Sequence, residues 1–368
     1  MRKFLLNEFL SRLGLKGLHL IQPEQAHALA ILLLKMRRFK TKTIYNNKKL
    51  SVQFCNIRLP NPVGLAAGFD KNAEVIPGLF SLGFGFVEVG AVTPHPQFGN
   101  KKPRIFKLRE DKAIINRLGF NNRGMHYIVK NLGAYKGPGK IGLNIGANKN
   151  SHDRISDFVT VLSQSLQAVD FITINVSSPN TKGLRQLQRK ADLAKLVKNV
   201  MQNDAITHSK KPILLKIAPD LENEELISIV EVCQKHKISG IIATNTTTER
   251  PNLKSSNHKE IGGLSGKPLF DMSNTTLAKL YYLSAGKVPL IGVGGIFSGK
   301  DAYKKICLGA SAIQLYTALI YQGPNVVGHI LNELNDHLDR DGYQNISEAV
   351  GSKNHQYLME ETDRSIFG

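Results

Sequence analysis

The sequence predicts an α/β protein, a (βα)₈ TIM barrel preceded by an N-terminal amphipathic helical extension. Eight short apolar segments rich in β-branched residues recur after about residue 59, and each ends in glycine or a small polar residue. Amphipathic segments with helical periodicity lie between many of them. Near-continuous apolar strands that alternate with helices are typical of a parallel sheet covered on both faces. Eight such units favour closure into a barrel.

The first forty residues differ from the rest of the chain. Apolar residues at helical spacing predict two amphipathic helices here: Leu6, Phe9, Leu10 and Leu13 in the first, and Ala26, Leu29, Ala30 and Leu33 in the second. Pro23 suits the first turn of the second helix. Eight Lys or Arg residues outnumber two acidic ones in this segment. Such a basic pair can lie on an anionic membrane surface, or it can pack as a helical hairpin on the main domain.

The barrel strands are predicted in eight segments: PVGLAAG (62–68), FGFVEVG (84–90), KIGLNIG (140–146), FITINVS (171–177), PILLKIA (212–218), SGIIATN (239–245), VPLIGVGG (288–295) and SAIQLYT (311–317). An open, doubly wound sheet is the alternative, but its first turn would favour a G-x-G-x-x-G spacing. The segment GVGGIFSG (292–299) lacks that spacing and comes late in the chain.

Helices are predicted in five amphipathic segments between these strands: 155–169, 191–203, 223–236, 274–284 and 299–309. Two connections are unusually long. One, between the second and third strands, includes residues 93–124, and the other, after the sixth strand, includes residues 249–268. Long connections in a compact domain are usually functional or mobile.

Polar side chains gather where the predicted strands end, which is where this kind of barrel carries its chemistry. In strand order they are Lys71; Asn144; Asn175, Ser177, Ser178 and Asn180; Lys216; Thr244, Asn245 and Thr246; and Tyr316 and Thr317. Any one of them could simply cap a turn or a helix. Two lysines and four asparagines around one mouth exceed what capping requires, so we expect a reaction centre.

The seventh strand end and Lys216 point to the kind of ligand. Gly292, Gly294 and Gly295 let backbone N–H groups approach an anion, where such barrels usually bind phosphate. Lys216 in an apolar strand is costly without an anionic partner. That partner is either a reduced flavin or a structural acid such as Asp220. Asparagine amides both donate and accept hydrogen bonds, which suits a planar heterocycle.

The net charge alone does not identify the binding partner; the positions of the charged residues are more informative. The formal net charge of +20 attracts nucleic acid, anionic lipid or phosphorylated ligands alike. Cys55, Cys233 and Cys307 are far apart and odd in number, which is typical of core thiols in a reducing compartment. No His or carboxylate spacing indicates a metal site, and no apolar run reaches the ~18 residues of a membrane span.

Five longer motifs carry a family resemblance: NPVGLAAGFDKN (61–72), INRLGFNN (115–122), NVSSPNTKGLRQLQ (175–188), GGLSGKPL (262–269) and IGVGGIFSGKDA (291–302). With these motifs the chain resembles the quinone-linked, class 2 dihydroorotate dehydrogenases over residues 22–351. The resemblance implies a (βα)₈ flavoprotein of pyrimidine biosynthesis. Such an enzyme oxidises dihydroorotate to orotate with FMN and passes the electrons to a membrane quinone.

The resemblance also implies a role for each matching position. Ser178 would be the catalytic base, and serine there favours class 2 because class 1 relatives have cysteine. The substrate would be held by Lys71, Asn175, Asn180, Asn245 and Thr246, under a loop of Asn116, Arg117, Leu118, Gly119 and Phe120. FMN would be held by Ala67, Gly68, Phe69, Asp70, Lys71, Ala91, Asn144, Asn175, Lys216, Thr244, Gly266, Gly295, Tyr316 and Thr317. The family often has threonine where this chain has Ala91.

A serine base needs activation, because a hydroxyl is a poor base at neutral pH. In the implied reaction the base removes a proton from C5 of dihydroorotate while a hydride leaves C6 for flavin N5. No histidine or carboxylate is adjacent to Ser178 in the sequence. We therefore expect a proton relay through Thr181 or through a water under Phe120.

The implied quinone gives the N-terminal segment a function. A quinone dissolves in the bilayer, so residues 1–40 are expected to dock on an anionic membrane surface and to form a tunnel to FMN. Residues 41–351 would be the FMN-binding barrel and residues 352–368 a polar C-terminal tail. The start of the chain lacks the pattern of a cleaved leader. This favours the cytoplasmic face of a bacterial inner membrane over a mitochondrial inner membrane.

Two rival functions fit fewer residues. A tRNA dihydrouridine synthase is also a basic FMN barrel, but that family uses a catalytic cysteine on a barrel loop and a helical RNA-binding domain after the barrel. This chain shows neither, so no nucleic-acid partner is expected. A non-catalytic membrane or nucleic-acid adaptor would not need Lys71, Lys216 and the polar strand ends together.

Overall fold

The structure, a computed structural model, describes residues 17, 20–36 and 47–367, without the side chains of residues 362 and 364–367. Its strands are β1 (Val52–Phe54), β2 (Ile57–Leu59), β3 (Val63–Leu65), β4 (Phe86–Val92), β5 (Ile105–Leu108), β6 (Ala113–Asn116), β7 (Lys140–Ile145), β8 (Phe171–Asn175), β9 (Ile213–Ile217), β10 (Gly240–Ala243), β11 (Gly263–Gly266), β12 (Leu290–Val293) and β13 (Ala310–Leu315).

The helices cover the outside of the barrel and both ends of the described chain. They are α1 (Pro23–Met36), α2 (Ile76–Phe80), α3 (Met125–Ala134), α4 (Arg154–Ser165), α5 (Lys190–Met201), α6 (Asp204–Thr207), α7 (Asn223–Lys235), α8 (Phe270–Leu283), α9 (Gly299–Cys307), α10 (Thr317–Gln322), α11 (Val326–Asp341) and α12 (Asn354–Phe367). Each of the five predicted helical segments overlaps one of these helices, with boundaries that differ by at most four residues.

Eight parallel strands close into a barrel in the order β3, β4, β7, β8, β9, β10, β12 and β13, and β13 pairs back onto β3. These are the eight predicted strands, so the closed barrel is confirmed and the open doubly wound alternative is wrong. Every residue of β8, β9 and β10 is buried, because parallel strands covered by helices have no solvent face.

The two long connections meet in a second, antiparallel sheet that the sequence did not predict. Strands β5 and β6 come from the first connection, and β11 comes from the second. Leu264 pairs with Ile115 in the register, and both are buried in a small core of their own. This three-stranded sheet therefore ties two distant parts of the chain together beside the barrel mouth.

Helix α1 is the predicted second N-terminal helix, and the predicted first helix lies outside the described residues. Three ion pairs hold α1 against the rest of the protein: Glu24 with Arg104 (Oε1–Nε, 2.5 Å) and with Lys102 (Oε2–Nζ, 2.8 Å), and Lys35 with Glu74 (Nζ–Oε1, 2.8 Å). Several large apolar side chains of α1 are nevertheless exposed: Leu29, Leu32, Leu33 and Met36. Within the part of the chain that the structure describes, no helix is both long enough and apolar enough to cross a membrane.

The end of the chain forms helix α12, which packs against α8. The Asn354 amide donates to the carbonyl oxygens of Ala278 (3.0 Å) and Leu308 (2.7 Å), and the Tyr357 ring is buried. Residues 352–368, predicted as a polar tail, thus include a helix that is attached to the barrel by buried groups.

Candidate functional site

One cavity of about 620 Å³ opens at the C-terminal ends of the barrel strands and extends beneath β5, β6, β11 and α1. All of the predicted site residues line it except Asp70 and Arg117. Residues scattered over most of the chain therefore meet in one space. Their individual roles stay predictions, but their grouping is a property of the structure.

Asp70 and Arg117 have other partners. The Asp70 carboxylate is buried and accepts from the backbone N–H groups of Glu74 (2.8 Å) and Val75 (2.9 Å). The Arg117 guanidinium pairs with Glu260 (2.6 Å) and lies 4.4 Å above the Phe106 ring. Asp70 thus shapes the loop after β3, and Arg117 joins the two long connections.

The polar end of the cavity is defined by Asn144, Asn175, Ser178, Asn180 and Asn245. Ser178 is only 7% exposed, and its Oγ accepts from the Asn180 backbone N–H at 3.3 Å. The Asn180 amide in turn donates to Asn116 Oδ1 (3.2 Å), which belongs to strand β6 of the second sheet. The serine therefore lies in a largely dry corner, with the sheet of long connections as its roof.

Ser177 differs from its neighbour Ser178 in its partners. Its Oγ donates to the Lys216 carbonyl oxygen at 2.7 Å and accepts from the Asn245 amide at 3.0 Å. Ser177 is fully buried and does not line the cavity. Of the two serines that follow β8, the geometry leaves Ser178 as the one that can meet a ligand.

The loop over the polar end is held in place from both sides. Gln97 donates through Nε2 to the carbonyl oxygens of Gly119 and Phe120, each at 3.1 Å. Asn122 donates to the same Phe120 oxygen at 2.8 Å. Phe120 itself adopts a left-handed backbone conformation (φ 53°), which is uncommon for a bulky residue. The aromatic ring is thus fixed against the core beside Gly146.

The two cavity lysines have pKa values below the ordinary range for lysine. Burial lowers the pKa of Lys216, and the Glu88 charge opposes that shift. Burial likewise lowers the pKa of Lys71 to about 8, although the nearby Asp70 and Glu24 charges raise it. Asp220 pairs with Arg185 (2.6 Å), so the acid whose charge acts on Lys216 is Glu88 and not the Asp220 that the sequence suggested. Both lysines are left facing a space that would suit an anion.

The predicted phosphate end consists of backbone. Gly294 (φ 119°) and Gly295 (φ 72°) adopt conformations that strain other residues. A Cβ on Gly295 would lie 2.5 Å from the Phe270 Cβ. This turn and the start of α10 at Thr317 face the cavity together. The two glycines therefore bring backbone without side chains to the cavity at this turn.

The apolar end of the cavity is defined by Ala26, His27, Ala30, Leu33 and Phe69. The His27 ring meets the Phe69 ring edge-on with centroids 5.2 Å apart, and Phe69 meets Tyr316 in the same way at 5.7 Å. Burial, and then the Lys71 charge, lowers the pKa of His27 to about 3. His27 is therefore neutral at physiological pH, so none of the five residues that define this end of the cavity carries a charge.

Three residues were missed from sequence. Gln314 on β13 and His27 on α1 line the cavity, and Glu88 on β4 lies buried behind its wall, where it accepts from the amides of Asn144 and Gln314. Glu88 had a usable signal, since a lone acid in the apolar segment FGFVEVG raises the same question as Lys216 in ILLKI. His27 had none, because its partner Phe69 comes from a distant loop. Among the described residues, no cluster of three or more His, Cys, Asp or Glu side chains could hold a metal ion.

The barrel and its cavity define the class of the protein: a (βα)₈ barrel enzyme whose reaction centre lies at the strand ends. A family model described as Dihydroorotate dehydrogenase matches residues 49–338. The chain therefore belongs to the dihydroorotate dehydrogenase family and is an oxidoreductase.

Named relatives agree with this assignment. The chain is 47% identical over 350 residues to a protein of Cereibacter sphaeroides named dihydroorotate dehydrogenase (quinone), covering 95% of this chain and 99% of the relative. It is 44% identical to the mouse protein named dihydroorotate dehydrogenase (quinone), mitochondrial, covering 90% and 87%. A crystal structure of the Eimeria tenella enzyme with ferulenol matches with a TM-score of 0.86 at 38% identity, covering 90% and 96%. The predicted quinone-linked class is thus confirmed.

Proposed function

We propose that this chain oxidises dihydroorotate to orotate, with FMN as its resident hydride acceptor, a membrane quinone as the final acceptor and Ser178 as the base. The observation that carries the proposal is the shape of the cavity. One continuous space joins a polar end, which contains Ser178, to an apolar end formed with α1. An enzyme that takes electrons from a polar heterocycle and gives them to an apolar quinone needs a binding surface of each kind.

The wall of the cavity fits FMN. The side-chain-free turn at Gly294 and Gly295 supports phosphate binding by backbone N–H groups. Asn144 and Asn175 of the polar end line the cavity together with Lys216 and would meet the ring edge. Bound there, FMN would supply the capacity to accept a hydride and to pass electrons onward. The Lys216 cation would stabilise negative charge on the ring.

The polar end would hold the substrate and take up its proton. Lys71 offers a cation for the substrate carboxylate, and Asn175, Asn180 and Asn245 offer amide groups for the ring edge. Ser178 Oγ would accept the C5 proton, and the fixed loop at Phe120 would keep out bulk water. Buried Thr181, three residues further along, or a water under Phe120 would carry the proton away.

The apolar end would receive the quinone. Helix α1 lines this end with small and aliphatic residues and exposes Leu29, Leu32 and Met36 on its outside. These exposed side chains support docking of residues 1–40 on an anionic membrane surface. We assign the chain accordingly to the cytoplasmic face of a bacterial inner membrane, as a peripheral protein.

An anaerobic titration of the FMN-loaded protein tests this proposal. Dihydroorotate should bleach the flavin absorbance, a quinone added afterwards should restore it, and NAD in a parallel sample should not. Absence of bleaching would contradict the proposed substrate. Recovery of colour with NAD but not with quinone would contradict the proposed acceptor.

A further inference from the structure

We propose that Glu88 is a positioning residue whose carboxylate sets the direction in which the cavity asparagines Asn144, Asn175 and Asn245 present their amides. The inference rests on the proposed function for the identity of the ligands that these amides meet. It concerns a residue inside the barrel that has no place in the proposed chemistry.

Glu88 is a fully buried acid on β4. One carboxylate oxygen accepts from the Asn144 amide at 2.7 Å, and the other accepts from the Gln314 amide. A carboxylate can only accept hydrogen bonds. Both neighbouring amides must therefore turn their NH₂ groups toward Glu88.

The three asparagines continue this arrangement as a ladder across the barrel, which we call the amide ladder (Asn144, Asn175 and Asn245). Asn175 Nδ2 donates to Asn144 Oδ1 at 2.8 Å, and Asn245 Nδ2 donates to Asn175 Oδ1 at 3.2 Å. At the far end the Thr246 backbone N–H donates to Asn245 Oδ1 at 2.8 Å. Every amide in the ladder therefore points its NH₂ group toward Glu88.

This pattern requires a group that accepts from both sides. Donors enter the network from both ends, Gln314 at one and the Thr246 N–H at the other. A side-chain amide accepts on its oxygen side and donates on its nitrogen side, so consecutive amides in a chain of hydrogen bonds all donate in the same direction. An amide at position 88 would therefore leave two N–H groups facing each other at some point in the network.

Gln314 cannot easily relieve such a conflict by turning over. Its Oε1 is buried and has no hydrogen-bond partner among the described residues. Turning the amide over would place its NH₂ group in that partnerless position, and an unsatisfied buried donor is costly. The carboxylate of Glu88 is thus the simplest group that satisfies the network from both sides.

The direction of the amide ladder decides what the ligands meet. Asn144 and Asn175 each use one N–H within the network and keep one more, and both residues line the cavity. They therefore present donors, which suit the carbonyl oxygens and ring nitrogens of a flavin and of orotate. Turning either amide over would exchange its oxygen and nitrogen and would weaken these contacts.

The test moves the carboxylate by one position. Glu88→Gln should weaken the binding of orotate and of FMN, each about tenfold or more, because a buried donor loses its partner. Gln314→Glu alone should also weaken binding, because two carboxylates would then face each other. The double variant Glu88→Gln, Gln314→Glu gives position 88 an amide that accepts from Asn144 and donates to the new carboxylate. It should bind both ligands within about threefold of wild type.

The measurements are the dissociation constants of orotate, from the flavin absorbance change, and of FMN, from fluorescence quenching on reconstitution. Glu231→Gln is the matched control on the surface, where Glu231 pairs with Lys190. Wild-type affinity in Glu88→Gln would overturn the inference, and so would a double variant no better than the single one. If Glu88→Gln fails to fold, the double variant alone decides: recovery of folding and binding supports the inference, and failure overturns it.

These outcomes are separate from those of the proposed function. A wild-type protein that binds FMN but not orotate would contradict the proposed substrate. The FMN affinities of wild type, the two single variants and the double variant would still show whether the swap restores the network.

Discussion

The two ends of the cavity are built in opposite ways. The polar end is assembled from barrel strands, and hydrogen bonds fix nearly every side chain that faces it, as in the contacts of Asn175 with Asn144 and of Asn180 with Asn116. The apolar end is assembled from a helix outside the barrel, and ring edges and aliphatic groups form it, with His27 held neutral. The polar end can select a polar ring through the directions of its hydrogen-bonding groups. The apolar end has few such groups and suits an apolar ring that fits its shape.

This difference implies that the two half-reactions can be damaged independently. Changes at the polar end should slow the transfer of electrons from dihydroorotate. Changes at the apolar end should slow their transfer to quinone.

The largest effect should come from deleting residues 1–40, which removes α1 and with it most of the apolar end. We expect turnover with a long-chain quinone to be lost, since its binding surface is gone, while dihydroorotate still bleaches the flavin. Steady-state assays and an anaerobic titration of the same preparation measure the two halves. Undiminished quinone turnover would contradict the role of this segment.

Ser178→Ala should be nearly as severe at the other end. Loss of a positioned base typically slows a reaction by about 10²–10⁴-fold, and we expect this loss in flavin reduction by dihydroorotate, with FMN still bound. Rapid mixing under anaerobic conditions gives the rate. Ser163→Ala, on the exposed face of α4, is the matched control. A near-normal rate for Ser178→Ala would remove the serine from the base role.

A smaller effect should follow from the pH. Burial lowers the pKa of Lys71 to about 8, so its positive charge is present below pH 8 and is lost as the pH rises above 8. The attraction for the substrate carboxylate is lost with it, and we expect orotate to bind about tenfold more weakly at pH 9 than at pH 7. Lys71→Met should bind weakly at both pH values. A flat profile in wild type would show that Lys71 does not hold the carboxylate.

The smallest effect should come from Arg117→Gln. The guanidinium pairs with Glu260 and stacks on Phe106 outside the cavity, and a partly exposed ion pair contributes little. We expect kcat/KM for dihydroorotate to fall by less than about threefold. A loss of a hundredfold would place Arg117 in contact with the substrate after all, as the family resemblance implied.

The fold could be predicted from sequence where the signal was local. Apolar runs such as FITIN and ILLKI identify barrel strands by themselves, because burial on both faces leaves no alternation. The second sheet could not be predicted in this way. Its strands are short, and Ile115 pairs with Leu264 from the other long connection. A local sequence pattern does not indicate a strand partner that is so far away in the chain.

The same distinction applies to the site. Lys71, Asn175 and Ser178 could be found because strand ends of a closed barrel share one rim. Glu88 was missed although it is a lone acid in an apolar strand, because it lies two residues before the cavity-lining Gly90 on β4 and its partners come from other strands. The partners of Asp70 were missed as well, since a carboxylate that caps backbone N–H groups looks the same in sequence as one that faces a ligand.

The most direct test compares both half-reactions in two variants, Ser178→Ala at the polar end and Ala30→Trp, which fills the apolar end. Flavin reduction by dihydroorotate is measured in one series. Reoxidation by quinone, after chemical reduction of the flavin, is measured in the other. We expect Ser178→Ala to slow only reduction and Ala30→Trp to slow only reoxidation. If the two variants slow the same half-reaction, or if each of them slows both half-reactions, the two ends of the cavity do not act separately.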